Sequence, residues 1–298
     1  MAQRDATKRQ SLVIKYLRKR ERTFAEIEMY LENESDIQAC DLIISQRTFQ
    51  RDIKEIKSIW GIEIKYNRAK EKYEIAFDPN DSRDNKLMEA FDIVNTLNIG
   101  SGISEFIHFE TRKASGTHLI LDIITAIKNK TVLELYHQKY WEENFSVRDI
   151  EPLGIKEYKY RWYLIAKDLN DNVIKSFGLD RIKGIQQTNK KLEAPSNFDI
   201  KEFYKHTYGA VGGQGQKEET VVLSFTPFQG KFIKAVPMHH SQEVLIDNDK
   251  EFRISLEIVP LVDFVMDVQQ YASAVKVVQP KWLAKKIKKN LQDTLKLY

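Results

Sequence analysis

The sequence predicts an α+β chain of several domains. Three observations carry this: a helical period over the first sixty residues that ends in two alternating runs, a period of two over residues 131–190, and a mixed helix–strand pattern over the last eighty. Charged residues make up 30% and hydrophobic residues 42% of the 298, which excludes disorder over most of the length. With 12 glycines and 7 prolines, collagenous and low-complexity readings fall as well. The net charge of +4 is mildly basic.

Residues 7–20 read as a helix, with Leu12, Val13, Tyr16 and Leu17 at helical spacing. Thr23 reads as the N-cap of a second helix, with Glu26 completing a capping box, and the stripe is Ile27, Tyr30 and Leu31. The polar stretch from Glu32 to Gln38 is expected to interrupt it. Ser45 caps a third helix in which Phe49, Ile53, Ile56 and Trp60 form one apolar face. Gln46, Arg47, Gln50, Arg51 and Lys54 fall on the other side. Two alternating runs follow, 62–66 and 72–77, joined by a basic tip with Arg68 and Lys70.

Three helices and a hairpin over residues 1–78 is the order of a winged helix-turn-helix. In that arrangement the third helix enters the major groove, where Gln and Arg reach base edges, and the tip reaches phosphates. From Ile44 to Tyr73 eight basic residues face four acidic ones. Gln46, Arg47, Gln50, Arg51, Lys54, Arg68 and Lys70 are therefore the candidate DNA-binding set. An ordinary solvated helix face is the competing account of the same charges.

Asp78-Pro79-Asn80-Asp81-Ser82 reads as a linker. Over 79–130, Leu87, Ala90, Phe91, Val94 and Leu97 mark one helix, and Leu119, Ile120, Ile123, Ile124 and Ile127 another. They either cover the next domain or pair with a second copy, and the second role is favoured for at least one. Strands are expected at 131–138, 146–155, 159–168, 172–179 and near 184–190. Five short strands in sixty residues suggest a small, strongly curved barrel-like sheet over 131–194.

Arg161-Trp162-Tyr163-Leu164-Ile165-Ala166 lies in one of these strands. Tyr136 precedes it, as do Arg148 and Glu151-Pro152-Leu153; Phe177-Gly178-Leu179-Asp180-Arg181-Ile182 closes the unit. In this order and spacing the chain resembles the WYL-domain family of bacterial transcriptional regulators. Ser45-x-Arg47-Thr48-Phe49-x-Arg51-Asp52-Ile53 is similar to the family's winged helix. Pro227, His240-Ser241-Gln242 and Tyr271 to Pro280 are similar to its carboxy-terminal extension.

The resemblance implies an Sm/SH3-like barrel that senses a nucleic acid or nucleotide-like effector, with single-stranded DNA among the expected ligands. The candidate effector-binding residues are Tyr136, His137, Arg148, Tyr163, Lys175 and Arg181. The family often has arginine where this chain has Lys175, and lysine lacks the planar fork for bidentate contact. Trp162 and Leu164 alternate onto one strand face and read as core. Arg148, Lys175 and Arg181 are expected to gather around Tyr136 and Tyr163, a cluster of like charges that needs an anion.

Residues 195–219 read as a polar linker whose glycine cluster, Gly209 to Gly215, is flexible. Over 220–298 the order β-α-β-β-α-β suggests a ferredoxin-like α/β sandwich. Its last helix buries Leu283, Ile287, Leu291 and Leu295 and exposes six lysines, giving net +5 from Lys281 to Tyr298.

One cysteine, Cys40, permits no internal disulfide, and no apolar run reaches membrane-spanning length. A cytoplasmic protein without a membrane partner is expected. His-Glu-x-x-His, Cys-x-x-Cys, Gly-x-Ser-x-Gly and Gly-Lys-Ser/Thr are all lacking. Neither catalytic residues, a metal nor a cofactor is therefore expected. The reading is a homodimeric, sequence-specific transcriptional regulator with a double-stranded operator. The alternative is an effector-binding adaptor of a defence or repair complex that binds no operator.

Overall fold

A computed structural model describes residues 2–38, 41–78, 81–98, 116–192, 197–213 and 215–298. Cys40 lies outside them. The chain divides into two compact units, Met1–Thr111 and Arg112–Tyr298.

The first unit opens with α1 (Ala2–Leu17), α2 (Phe24–Gln38) and α3 (Gln46–Trp60), followed by the antiparallel hairpin β1 (Ile64–Asn67) and β2 (Lys72–Ile75). Thr23 and Glu26 form the reciprocal capping box: the Thr23 amide donates to Glu26 at 2.8 Å and the Glu26 amide to Thr23 Oγ1 at 3.2 Å. The stretch Glu32 to Gln38 does not interrupt α2 but continues it. Its Glu and Gln residues are good helix formers, so the helix continues without an apolar stripe.

Ser45 caps α3 by accepting from the Thr48 amide, and Gly61 ends it in the left-handed region at φ 69°, which a side chain rarely tolerates. Val13, Ile14 and Leu17 of α1 pack with Ile27 and Leu31 of α2, Phe49 and Ile56 of α3, and Tyr73 of the hairpin. Helix α4 (Ser82–Asn98) adds Met88 and Phe91 to this core and leaves Ile93 and Val94 exposed. The side chain of Leu97 lies outside the described residues.

In the second unit, α5 (Ile120–Asn129) leads into β3 (Thr131–His137), β4 (Ser146–Tyr158), β5 (Arg161–Asp168), β6 (Val173–Gly178) and β7 (Ile182–Lys191). They form one antiparallel sheet in the order β6-β5-β4-β3-β7. Helix α5 covers it: Leu119, just ahead of the helix, and Ile123 and Ala126 within it are buried with Leu133, Leu135, Ile150, Leu164, Ala166 and Phe177. Of the two roles open to this helix, its inner face takes the first, covering the next domain. Leu121 and Ile124 are left on the exposed side.

A short helix α6 (Ile200–Tyr204) follows. Then come β8 (Glu219–Phe225), α7 (Pro227–Ala235), β9 (Glu243–Asp247), β10 (Phe252–Ile258), α8 (Val262–Gln270), β11 (Val275–Gln279) and α9 (Lys281–Leu295). The four strands order as β11-β8-β10-β9. Their strictly alternating residues Val221, Leu223, Phe225, Ile254, Leu256 and Ile258 meet Ile233, Phe264, Val268 and Leu283 of the helices. In α9, Leu283 is buried and Ile287 packs on this core, but Leu291 and Leu295 are exposed, against expectation. They line an open groove between α9 and Lys276 and Val277 of β11.

The expected flexible glycine loop is tied down. Asp263 Oδ2 accepts from the Ala210 amide at 2.8 Å and the Val211 amide at 3.3 Å. One turn further along α8, the buried Asp267 carboxylate accepts from Tyr158 Oη at 3.2 Å, from Tyr208 Oη and from Lys159 Nζ. The tip between β4 and β5 is thereby fastened to α8.

Candidate nucleic-acid interfaces

The outer face of α3 is a row of exposed polar side chains. Gln46, Arg47, Gln50, Arg51 and Lys54 are all exposed, as are Arg68 and Lys70 at the hairpin tip. Arg51 pairs with Glu55 at 3.7 Å, one turn along the helix, and Lys70 with Glu21 at 3.3 Å. Arg47, Lys54 and Arg68 have no ion pair among the described residues. Gln50 donates to Tyr73 Oη at 3.0 Å, which links the helix face to the hairpin.

Behind this face lies a contact that apolar periodicity does not reveal. Asp52 is fully buried and accepts from Arg9 Nε at 2.7 Å and Nη2 at 3.1 Å. Beside it Gln10 donates to Glu55 at 2.6 Å. Two successive residues of α1 thus fix the rotation of α3 about its axis. A forked pair with both partners buried holds geometry more tightly than apolar contact does.

In the five-stranded sheet, residues paired directly across antiparallel strands share a face. Leu135 pairs with Arg148, His137 with Ser146, and Ala166 with Lys175. Arg148, His137 and Lys175 therefore lie on the α5-covered side. Tyr136 pairs with Val147 and Tyr163 with Lys156, so both tyrosines lie on the opposite face. Val147 and Lys156 are nine residues apart on β4. The cations consequently do not gather around Tyr136 and Tyr163, because a period of two sends neighbours to opposite faces. Tyr136 instead donates to Glu134, which raises its phenol pKa, and its ring lies 5.7 Å from Phe145.

The cations already have their anion. Asp168, fully buried, accepts from Arg148 Nη1 at 2.6 Å and Lys175 Nζ at 2.8 Å; Lys175 also reaches Asp171. Burial works against the Asp168 charge, but hydrogen bonds from Lys175, the Asn170 amide and Arg148 outweigh it and hold its pKa below the usual carboxylate value. Burial likewise opposes the charge on Lys175, and its two carboxylate partners outweigh that, raising its pKa. The expectation that this cluster requires an outside anion is corrected: Asp168 supplies the charge.

His137 stands between the two groups of cations. It is buried against Phe177 at 5.3 Å, and its Nε2 has no hydrogen-bond partner among the described residues. Burial first, then the charges of Arg181 and Arg148, lower its pKa and so favour the neutral ring.

Arg181 lies in a second cluster. Asp180 accepts from Arg161 and from Tyr140 Oη, and the guanidinium groups of Arg161 and Arg181 stand 5.8 Å and 5.4 Å from the Tyr140 ring centroid. A Cβ at Gly178 would meet Asp180 Oδ1 at 2.6 Å and Arg181 Nε at 3.0 Å, so glycine is what lets this group lie against the strand. The loop between β3 and β4 exposes Tyr140, Trp141 and Phe145 by 65%, 76% and 55%. These aromatics and Arg161 were not among the residues expected at the site. Their signal was present as a Tyr-Trp pair and a Phe flanking a Glu-Glu-Asn turn, where large rings lack the alternation of a strand.

Two domain families match within the second unit. The model of the WYL domain matches residues 118–187, and that of the WCX domain residues 217–295. The first match includes α5, consistent with its packing on the sheet. Protein PafB of Mycobacterium tuberculosis and of Mycobacterium bovis is 35% identical over 66 residues, 22% of this chain and 20% of each relative. The match thus spans about a fifth of the length of these curated relatives. Among solved structures, proteasome accessory factor B/C of Arthrobacter aurescens aligns over 97% of this chain and 46% of its own, at 17% identity and TM-score 0.37. A CRISPR Cas-related protein aligns over 88% and 76%, at 10% identity and TM-score 0.40. With the strand order, the covering helix and both domain matches in place, the chain contains a WYL domain followed by a WCX domain.

Proposed function

We propose that the protein is a DNA-binding transcriptional regulator whose WYL domain senses a nucleic-acid or nucleotide-like effector. In this reading residues 1–78 are a winged helix-turn-helix, the five-stranded sheet an Sm-like barrel, and 220–298 a ferredoxin-like sandwich. The observation that carries it is the face of α3: exposed Gln46, Arg47 and Gln50 on a helix whose rotation Arg9 and Gln10 fix from behind. Gln and Arg at the start of such a helix have the donor geometry that major-groove base edges require, and Arg68 on the hairpin suits a phosphate.

For the effector, the support lies at the loop end of the sheet. Exposed Tyr140 stands beside Arg161 and Arg181, and its loop also exposes Trp141 and Phe145, a combination of ring faces and cations that suits stacked bases and phosphates. This moves the weight of the site from Tyr136 and Tyr163 to the β3–β4 loop. A homodimer fits the exposed Ile93 and Val94 of α4 and Leu121 and Ile124 of α5, and two-fold readers of half-sites. The effector acts by binding one spacing of the paired readers more tightly than another.

The test is recovery of genomic DNA bound by the wild type, with and without DNA damage, and by an Arg47→Ala, Gln50→Ala variant. The wild type enriches a shared sequence and the variant loses it. Equal enrichment of the same sequence by both would remove α3 as the reader.

A further inference from the structure

Helix α9 carries five exposed lysines, Lys281, Lys285, Lys286, Lys288 and Lys289, none of them in an ion pair among the described residues. Only Lys296 is compensated, by Asp293 at 2.7 Å. At 100° per residue, Lys281, Lys285, Lys288 and Lys289 fall within an arc of about 100°, turned away from Leu283 and Ile287, which face the core. From Lys281 to Lys289 the stripe runs about 12 Å along the helix. Such a row of unpaired like charges repels itself and gains most from a polyanion laid along it.

We infer that this stripe binds the phosphate backbone of duplex DNA without regard to sequence, as a second contact separate from α3 and the hairpin. The side-chain chemistry selects the backbone over the bases. Lysine is a point charge on a flexible stem and lacks the fork that reads guanine. It also selects duplex over single strand. The helix has one aromatic, Trp282, and its indole N–H is taken by Glu219 at 2.8 Å, so the stripe offers no row of rings for unstacked bases. A continuous helix that carries its charges along one side suits a stiff backbone. The inference does not rest on α3 reading bases.

The test uses the full chain and a variant with Lys281, Lys285, Lys288 and Lys289 each changed to Gln, checked for an unchanged thermal midpoint and circular dichroism. Binding of a labelled duplex of arbitrary sequence is followed by anisotropy from about 50 to 200 mM salt. The expected result is at least a tenfold loss of affinity at the low end. The slope of log K against log salt should fall by about 3 to 4, since each phosphate contact contributes about 0.9. An unchanged slope overturns the inference. So does an unchanged slope together with lost binding to vesicles of phosphatidylcholine and phosphatidylglycerol, which would assign the stripe to anionic lipid. The Arg47→Ala, Gln50→Ala variant run in parallel keeps the two readings apart: it should lose preference for an operator while keeping this slope.

Discussion

The cations of α3 and its hairpin and those of the five-stranded sheet look alike in the sequence and differ in the structure. Arg47, Lys54 and Arg68 face solvent with no ion pair among the described residues, whereas Arg148 and Lys175 converge on a buried carboxylate. The first group can take a phosphate as it stands. The second would have to give up Asp168 to do so, and removing one partner from a buried pair costs several kcal/mol. A basic residue is therefore a candidate ligand only once its counter-charge has been located. By that criterion the sheet's free binding capacity lies at Arg181 and the exposed rings; Arg161, like Arg148 and Lys175, already has a carboxylate partner, Asp180.

The sharpest way to break this comparison is to strand a buried charge on each side. Asp52→Ala leaves the Arg9 guanidinium buried and unpaired, and should lower stability by about 3–5 kcal/mol in chemical denaturation. Asp168→Ala leaves two cations that keep partial contact with water, so about 2–3 kcal/mol is expected. If Asp168→Ala unfolded at the wild-type midpoint, the carboxylate would not be what holds Arg148 and Lys175. The same geometry warns against charge reversal at Arg148: a glutamate there would face buried Asp168 at about the same distance, so lost binding would not separate ligand contact from misfolding. Arg181→Gln is the cleaner probe, because Arg181 forms no ion pair among the described residues.

The pH dependence of the same pair follows from its two shifts. The Asp168 pKa is depressed on folding, so its stabilisation is present above the unfolded value and lost as pH falls through the folded one. The Lys175 pKa is raised, so its share is complete below the unfolded lysine value and lost as pH rises through the folded one. The stability gap between wild type and Asp168→Asn should accordingly be widest near neutral pH and narrow as the pH falls below the unfolded carboxylate value of about 3.9. A gap that stayed constant from pH 7 to about 3 would show that Asp168 titrates normally.

How much of this was legible in the sequence depends on what kind of information each feature needs. The capping box at Thr23, the Ser45 cap, the α3 apolar face and the alternation of β10 are local, and periodicity locates them. The string from Tyr136 through Trp162-Tyr163-Leu164 to Ile182 also sufficed to place the WYL domain. Pairing across long sequence separations was not legible. Arg9 meets Asp52 across 43 residues and Arg148 meets Asp168 across 20, and neither period nor composition encodes a partner. The split of Tyr136 and Tyr163 from the cations was legible in part, since alternation alone puts Tyr136 and His137 on opposite faces. What alternation leaves open is how far apart two residues on one face of a long strand come to lie.

A smaller effect sharpens the comparison on the DNA side. If Arg47 and Gln50 read base edges, each alanine substitution should cost about 1–3 kcal/mol against the best operator and much less against unrelated duplex. Competition titrations measure both. Equal losses on the two DNAs would turn α3 into a backbone contact and leave sequence reading without residues.

The smallest effect isolates compensation within a single turn of chain. Arg68 and Lys70 share the hairpin tip and are both exposed, but Lys70 is paired with Glu21 at 3.3 Å and Arg68 has no ion pair among the described residues. Glu21 registers the contact: its hydrogen bond and charge interaction with Lys70 lower its pKa. A free cation that meets a phosphate releases a counterion, so Arg68→Ala should reduce the salt slope of binding by about 0.9 on every sequence alike. Lys70 has Glu21 as its standing counterion. Engaging a phosphate would trade one anion for another and release little, so Lys70→Ala should change the slope by clearly less. The double variant Glu21→Gln, Lys70→Ala should behave like Lys70→Ala alone, while Glu21→Gln by itself should steepen the slope by freeing the lysine. Equal slope changes for Arg68→Ala and Lys70→Ala would show that an exposed carboxylate partner does not occupy a cation. The distinction between free and compensated charge would then apply only where the carboxylate is buried, as Asp168 is.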